Sequence, residues 1–515
     1  MTYSFNLIDK PWIPCVHTDG RVTELSLRET LEKAHELRGL QGDSPLETAA
    51  IYRLLLAMIH SVLRGPASKT EWSKLWKAKR LDIKQINAYL DKWHSRFDLL
   101  DEKRPFYQVK DDQMVEKNAL QLTHGMGTAN ELFVHETVIE TVVLSCSQAT
   151  RMLLAGQLFG LGGLVHPKFK NLTSAPLLRG ITFLVEGNTL FETLLLNSLQ
   201  YAGNKPMPNS GSDAPTWEME KPFENREQPN GYLDYLTWQN RKLFLVPEGE
   251  ESEKVVIGKI FIARGLDLDK SVEDPFKQYS KKDTGWRHLP FTENRSLWRD
   301  SHTLLNRNKP ENYHPPQTFD WLSLLLQETD CLEYKQIYRY MALGAGVHYK
   351  DAKIYFYRHE NMPLPLSYFA DENLVEKLTT AIAYAEDTKS SLWRATSTMA
   401  KILISSSSDE KGGRQPDPGD VAKLLKHWGA EINYWAKLET AFMRFIETLP
   451  NDSSAMDRWK EILQQTAWDS LAGAERFAGE STTALKAAVK ARGTLAYELK
   501  KLFSEIQVQE EAVNE

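Results

Sequence analysis

Residues 417–450 read DPGDVAKLLKHWGAEINYWAKLETAFMRFIETLP, and their periodicity decides the fold class. Val421, Leu424, Leu425, Trp428, Ile432, Trp435, Leu438, Phe442, Phe445 and Leu449 recur every three or four residues, one stripe of an α-helix. Asp417-Pro418 supplies a capping carboxylate and a first-turn proline, and Pro450 ends the run. The same spacing predicts helices over about 371–404 and 455–477, and a last one through Leu485, Val489, Arg492, Leu495, Leu499 and Leu502. SSSSDEKGGRQPDPG at 405–419 reads as a solvated connector. Helices in series with one apolar stripe each bury those stripes against one another, so a C-terminal four-helix bundle is expected over 366–515.

Upstream, the pattern is mixed. Phe5-Asn6-Leu7-Ile8 reads as a short strand, and Pro11 and Pro14 hold the chain extended around Trp12 and Ile13. DGRV at 19–22 marks a hairpin turn, and 26–38 and 46–64 have helical spacing. The Pro-, Gly- and Asn-rich stretch 203–231 predicts a long loop, followed by strands over Tyr232–Val246 and Val255–Ala263. The expectation is an α+β protein: a large N-terminal mixed α/β globular domain over 1–365, then the bundle.

The 515 residues are 42% hydrophobic and 26% charged, the composition of a folded globular chain. Lys and Arg number 63 against 69 Asp and Glu, a net charge of -6. That excludes coating nucleic acid by bulk charge and leaves room for a local basic groove. Cys15, Cys146 and Cys331 lie far apart with no CxxC pair, which argues against a disulfide framework or a cysteine zinc site and for a reducing cytoplasm. The start MTYSFNLIDKPWIP lacks the pattern of an export signal. The apolar stretches 51–63 and 153–165 are interrupted by Arg53, His60 and Gln157 and are expected to be too short for a bilayer. A cytoplasmic protein without a membrane partner is the expectation.

No phosphate loop, HExxH helix or GxSxG elbow is present, and His135-Glu136 is not followed by a second histidine at zincin spacing. A metal-dependent nucleic-acid-processing enzyme, the alternative function, would need two or three acids or histidines at one site, and the sequence has no such cluster. A non-enzyme without cofactor or metal is expected. Gly160-Leu161-Gly162-Gly163 has two readings: a helix cap and turn, or a side-chain-free backbone that enters a DNA groove beside Lys168 and Lys170. Phe133 and His135 suit stacking on a splayed RNA base, or a buried strand. Lys277 to Arg299 interleaves basic residues with Tyr279, Trp286, Phe291 and Trp298, as a nucleic-acid surface or a solvated face over a core strand would. Lys74, Lys77, Lys79, Arg80 and Lys84, and the last helix's Lys486, Lys490, Arg492, Lys500 and Lys501, read as solvated helix faces.

Asn6-Leu7-Ile8-Asp9-Lys10-Pro11-Trp12-Ile13-Pro14 resembles the N-terminal signature of the CasA family, the large subunit of the type I-E CRISPR Cascade complex. The resemblance continues through Leu132–His135, Gly160–Gly163, Leu194–Asn197, Ala214–Glu218 and Leu236–Arg241. It implies a non-enzymatic subunit that joins the other Cascade subunits and the guide crRNA. It also implies reading of the protospacer-adjacent motif (PAM) of double-stranded target DNA, help in opening that duplex for R-loop formation, and recruitment of a helicase-nuclease effector. Carried over by residue, Gly160, Gly162 and Gly163 face the PAM minor groove, and Phe133 and His135 dock on the guide-RNA handle. Arg264 is the basic side chain sent into the groove. Lys350 and Asp351 stand at the tip of the strand-splitting wedge, 344–352, which ends on the DNA-facing Ala352 and lacks the family's glutamine. Some relatives carry two CxxC pairs suited to zinc; this chain carries none.

Overall fold

Asn6 and Trp12 set the entry of the chain. The Asn6 side chain accepts from the Ile8 amide at 3.0 Å and donates to the His94 carbonyl at 2.9 Å, while the buried Trp12 indole donates to the Leu7 carbonyl at 2.9 Å. These bonds make residues 7–9 a turn instead of the expected strand, because a side-chain amide competes for backbone groups that a ladder would use. Past the prolines, Ile13–His17 pairs antiparallel with Val22–Leu25 across the DGRV turn and with Leu37–Leu40. That last strand cuts the helix expected over 26–38 to Leu27–Glu32.

The computed structural model describes residues 3–122, 143–249, 255–283, 285–305, 312–348, 353–407 and 416–514. The chain forms two units, 1–293 with 307–366, and 294–306 with 367–515. In the first unit, the 19-residue helix Pro45–Leu63 is long and apolar enough to cross a bilayer, contrary to the length expected from sequence. Its apolar surface is buried within the unit, and Arg53 at its centre is paired with Asp274 at 2.8 Å, so it is a core helix.

Three further antiparallel sheets complete the described strands of this unit. Val256–Arg264 pairs with Arg241–Glu248 along one edge and with Val115–Asn118 and Leu144–Ser145 along the other. Ile337–His348 pairs with Lys353–Pro365 and with Thr182–Glu186, and Tyr279–Lys282 lies between Gly285–His288 and Tyr313–His314. Residues 203–231 are irregular, as expected, apart from a short 3-10 helix at Thr216–Glu218. The strand expected from Tyr232 begins only at Arg241, since Tyr232–Leu236 is a helical turn. Asp213 explains it: its carboxylate accepts from the Leu233 and Asp234 amides at 2.9 Å each, which satisfies donors that a helix start leaves open.

In the second unit, Glu372–Ser407, Ala430–Thr448, Ala455–Ala478 and Thr482–Asn514 are the long helices. The Trp459 indole and the Tyr434 hydroxyl donate to the carbonyls of Ala381 and Ala385 at 2.9 Å each, pinning three of these helices together. The single helix expected over 418–449 is two, Pro418–Trp428 and Ala430–Thr448, hinged at Gly429 with φ +62°. Residues 294–306, read from sequence as N-terminal, join this unit because Trp298 is fully buried against Phe442 at 4.4 Å and edge-on to Trp435 and Trp459. The last helix also presents a different face from the expected one. Ala484, Ala487, Ala491, Leu495 and Leu499 are buried, whereas Leu485 and Val489 are exposed, because small alanines let helices approach closely.

Candidate nucleic-acid interface

The helix Cys146–Phe159 delivers the glycine turn. Ser145 and Gln148 form a capping box at its start, and at its end the Gly160 amide donates to the Gly156 carbonyl at 3.1 Å. The buried Gln157 side chain then exchanges two hydrogen bonds with the Arg241 backbone, at 2.8 and 2.9 Å, fastening the helix end to the first residue of a strand. The Arg241 guanidinium turns back under the turn and donates to the Leu161 carbonyl at 2.8 Å. Burial lowers this guanidinium below its usual range, and the Asp267 carboxylate acts against that shift.

The three glycines divide by direction. A Cβ on Gly160 would stand 2.6 Å from the Gly156 carbonyl and 2.9 Å from Arg241, and one on Gly162 would stand 3.0 Å from the Ser174 amide. Both therefore face inward, and a bulky residue at Gly160 disturbs the turn itself. Gly163, at φ +157°, has nothing within 4 Å of its missing Cβ. It pairs with Leu172 by two bonds of 3.0 and 2.9 Å, which closes the loop 164–171 like a hairpin. Leu164, Lys168 and Lys170 are exposed on that loop, and the His166 ring lies 5.0 Å from that of Phe169.

Arg264, expected to reach into a groove, is engaged within the protein. Its guanidinium pairs with Asp267, also within hydrogen-bond range of Thr173 at 2.8 Å, and donates to the Asn171 carbonyl at 3.4 Å. Burial would raise the Asp267 carboxyl, but hydrogen bonds from Arg264 and Thr173 hold it below the usual range. Arg264 thus braces the base of the loop, in the wall of a cavity of about 360 Å³ shared with Phe169, Lys170, Phe223 and Lys242. Phe133, His135, Lys350, Asp351 and Ala352 lie outside the described residues. The strands Ile337–His348 and Lys353–Pro365 run up to the last three, with His348 opposite Lys353.

The family described as CRISPR-associated protein Cse1 matches residues 6–470. The chain belongs to the Cse1 family. A CasA/Cse1 protein of Thermus thermophilus is 31% identical over 501 residues, 94% of this chain and 95% of that protein. The solved structure of Thermus thermophilus CasA (Cse1) superposes with a TM-score of 0.79 at 27% identity, covering 97% of this chain and 100% of the other. A chain of a CRISPR RNA-guided surveillance complex shares the fold, with a TM-score of 0.74 at 21% identity over 96% of this chain and 99% of its own.

Within this Cse1 chain, several motifs that carry the resemblance are scaffold. Asn197 bonds the Val185 amide at 2.9 Å and carbonyl at 2.6 Å, and the Trp217 indole donates to the Tyr89 hydroxyl at 2.8 Å. Arg241, the support of the glycine turn, closes the Leu236–Arg241 motif, yet no local signal in the sequence assigns it that task. The aromatic-basic run 277–299 separates into different jobs. Lys277 is buried and donates to the Pro176 and Arg179 carbonyls at 2.8 and 2.6 Å, and Arg299 pairs with Glu386 at 2.5 Å. Lys281, Lys282 and the half-exposed Trp286, stacked 3.6 Å from His314, remain at the surface. Among the described residues, no group of three or more His, Cys, Asp or Glu side chains is arranged to hold a metal.

Proposed function

We propose that the chain is the large subunit of a type I-E CRISPR Cascade complex and reads the PAM of double-stranded DNA through Gly163. The observation that carries the reading is the outward, side-chain-free face of Gly163 on a turn clamped from below by Arg241. A backbone without Cβ lies closer to a groove floor than any side chain permits, and a rigid clamp means binding does not have to order it. Lys168 and Lys170 supply phosphate attraction, and Arg264 positions their loop. The subunit docks on the crRNA handle through the segment containing Phe133 and His135. The segment carrying Lys350, Asp351 and Ala352 splits the duplex, since side chains inserted between base pairs replace base stacking. The assembled complex recruits the helicase-nuclease, and the chain itself is not catalytic. Family membership and the likeness to a surveillance-complex chain support the assembly role.

The test is target binding by complexes assembled with and without this chain, on duplexes with matched and altered flanks. Tight binding that needs both the chain and the matched flank is expected; a chain required for assembly but indifferent to the flank is only a scaffold.

A further inference from the structure

A second cavity, of about 640 Å³, opens beside residues 102–110 and 216–224. Phe223 lines both this cavity and the one at Arg264, so the two are neighbours on one surface. Part of its wall is aromatic, with Phe106 and Tyr107 rings 4.5 Å apart and a half-buried Phe223 that has the Lys242 ammonium 5.9 Å from its centre. Arg96, Lys103, Arg104, Lys110 and Lys221 supply five cations against three carboxylates. One of these, Glu220, is already held by Arg96 at 2.7 Å and Arg104 at 2.5 Å. Among the described residues, none of the three lysines pairs with a carboxylate. On a chain of net charge -6, this is a local excess of positive charge.

Two observations point to a ligand with both a ring and hydrogen-bonding edges. Gln239 lines the cavity at 2% exposure, and its Oε1 has no hydrogen-bond partner. A buried carbonyl oxygen without a donor is destabilising until something fills the site and donates to it. Tyr107 holds φ +57°, an outlier for a bulky residue, and such strain gathers where ligands are clamped.

We infer that this cavity is a nucleotide site, with the base stacked on Phe223 and meeting Gln239, and its phosphate on the rim lysines. A purely apolar ligand leaves the cations unmatched, and a simple anion leaves the ring and the amide unused. The chemistry is shared by a nucleotide of RNA and one of unpaired DNA. The inference rests on the nucleic-acid reading in one respect: a strand that passes Arg264 reaches Phe223 next.

The test uses the full chain and labelled single-stranded homopolymer oligonucleotides, RNA and DNA, in fluorescence anisotropy. Phe223→Leu keeps the apolar volume and removes the π-face; Phe223→Tyr keeps both. Phe223→Leu is expected to weaken binding on the order of tenfold, and Phe223→Tyr to restore it, with melting temperatures unchanged. A loss confined to RNA assigns the guide as source; a loss on DNA assigns the target. No saturable binding by the wild-type chain overturns the inference, as does wild-type affinity in Phe223→Leu for both polymers. Duplex binding by complexes carrying wild-type or Gly163→Val chains, measured in parallel, reports on the glycine turn separately. The cavity can therefore fail while that reading stands, and the reverse.

Discussion

The Arg241 guanidinium donates to the Leu161 carbonyl across 2.8 Å, although the two residues are 80 positions apart in the chain. A strand start thereby holds up a turn at a helix end, and the glycine loop inherits the rigidity of both elements. Arg241→Met should leave the Leu161 carbonyl and the Asn240 side chain without their donor. We expect a loss of about 1–3 kcal/mol in unfolding free energy, the usual cost of orphaned buried polar groups, read from urea denaturation. Gly160→Val should cost a similar ~1–3 kcal/mol by overpacking against Gly156 and Arg241.

Salt dependence separates the basic residues. Lys168→Ala and Lys170→Ala should each reduce the slope of log affinity for duplex against log salt by about 0.9, the release from one phosphate. Arg264→Ala should weaken binding by another route, since the loop loses its brace and Asp267 is left beside it without a counter-charge.

Arg53 and Asp274, both buried and 221 residues apart, form the central ion pair of the first unit. Burial alone would raise the Asp274 carboxyl, but the charges of Arg53 and Lys277 hold it below the usual range. Asp274→Asn should cost about 3–5 kcal/mol at neutral pH, since Arg53 is left buried without its counter-charge. A depressed carboxyl contributes stability that is full above its unfolded value near ~3.9 and is lost as pH falls through the folded one. The gap between wild type and variant, followed in urea melts from pH 7 downward, should therefore hold to about pH 4 and shrink below it.

Gly429 at φ +62° separates two helices that share one apolar stripe. Gly429→Ala should lower unfolding free energy by about 1–2 kcal/mol, the penalty for a Cβ in the left-handed region.

That position also marks the limit of what periodicity conveys. Trp428 and Trp435 are buried on either side of the break, so the three- and four-residue spacing runs on while the backbone does not. The long helices, the DGRV hairpin and the irregular 203–231 were legible because spacing and turn residues act locally. Side-chain capture of backbone groups was not: Asn6 turns an expected strand, and Asp213 starts a helix in another. Trp298, buried in the second unit, sits in a run of sequence that looks like a surface. At the candidate interface the glycines stood out as a motif, but their directions depend on Arg241 and Ser174, which only the folded chain brings beneath them.

The most direct test is the affinity of an assembled complex carrying Gly163→Val for duplex with a matched PAM and with an altered one. A side chain on the open face of the turn, at a φ that only glycine adopts without strain, should lower affinity for the matched duplex by about tenfold or more, ~1.4 kcal/mol, leaving assembly and the altered-flank background as they were. Unchanged affinity for the matched duplex in a fully assembled Gly163→Val complex would contradict the account.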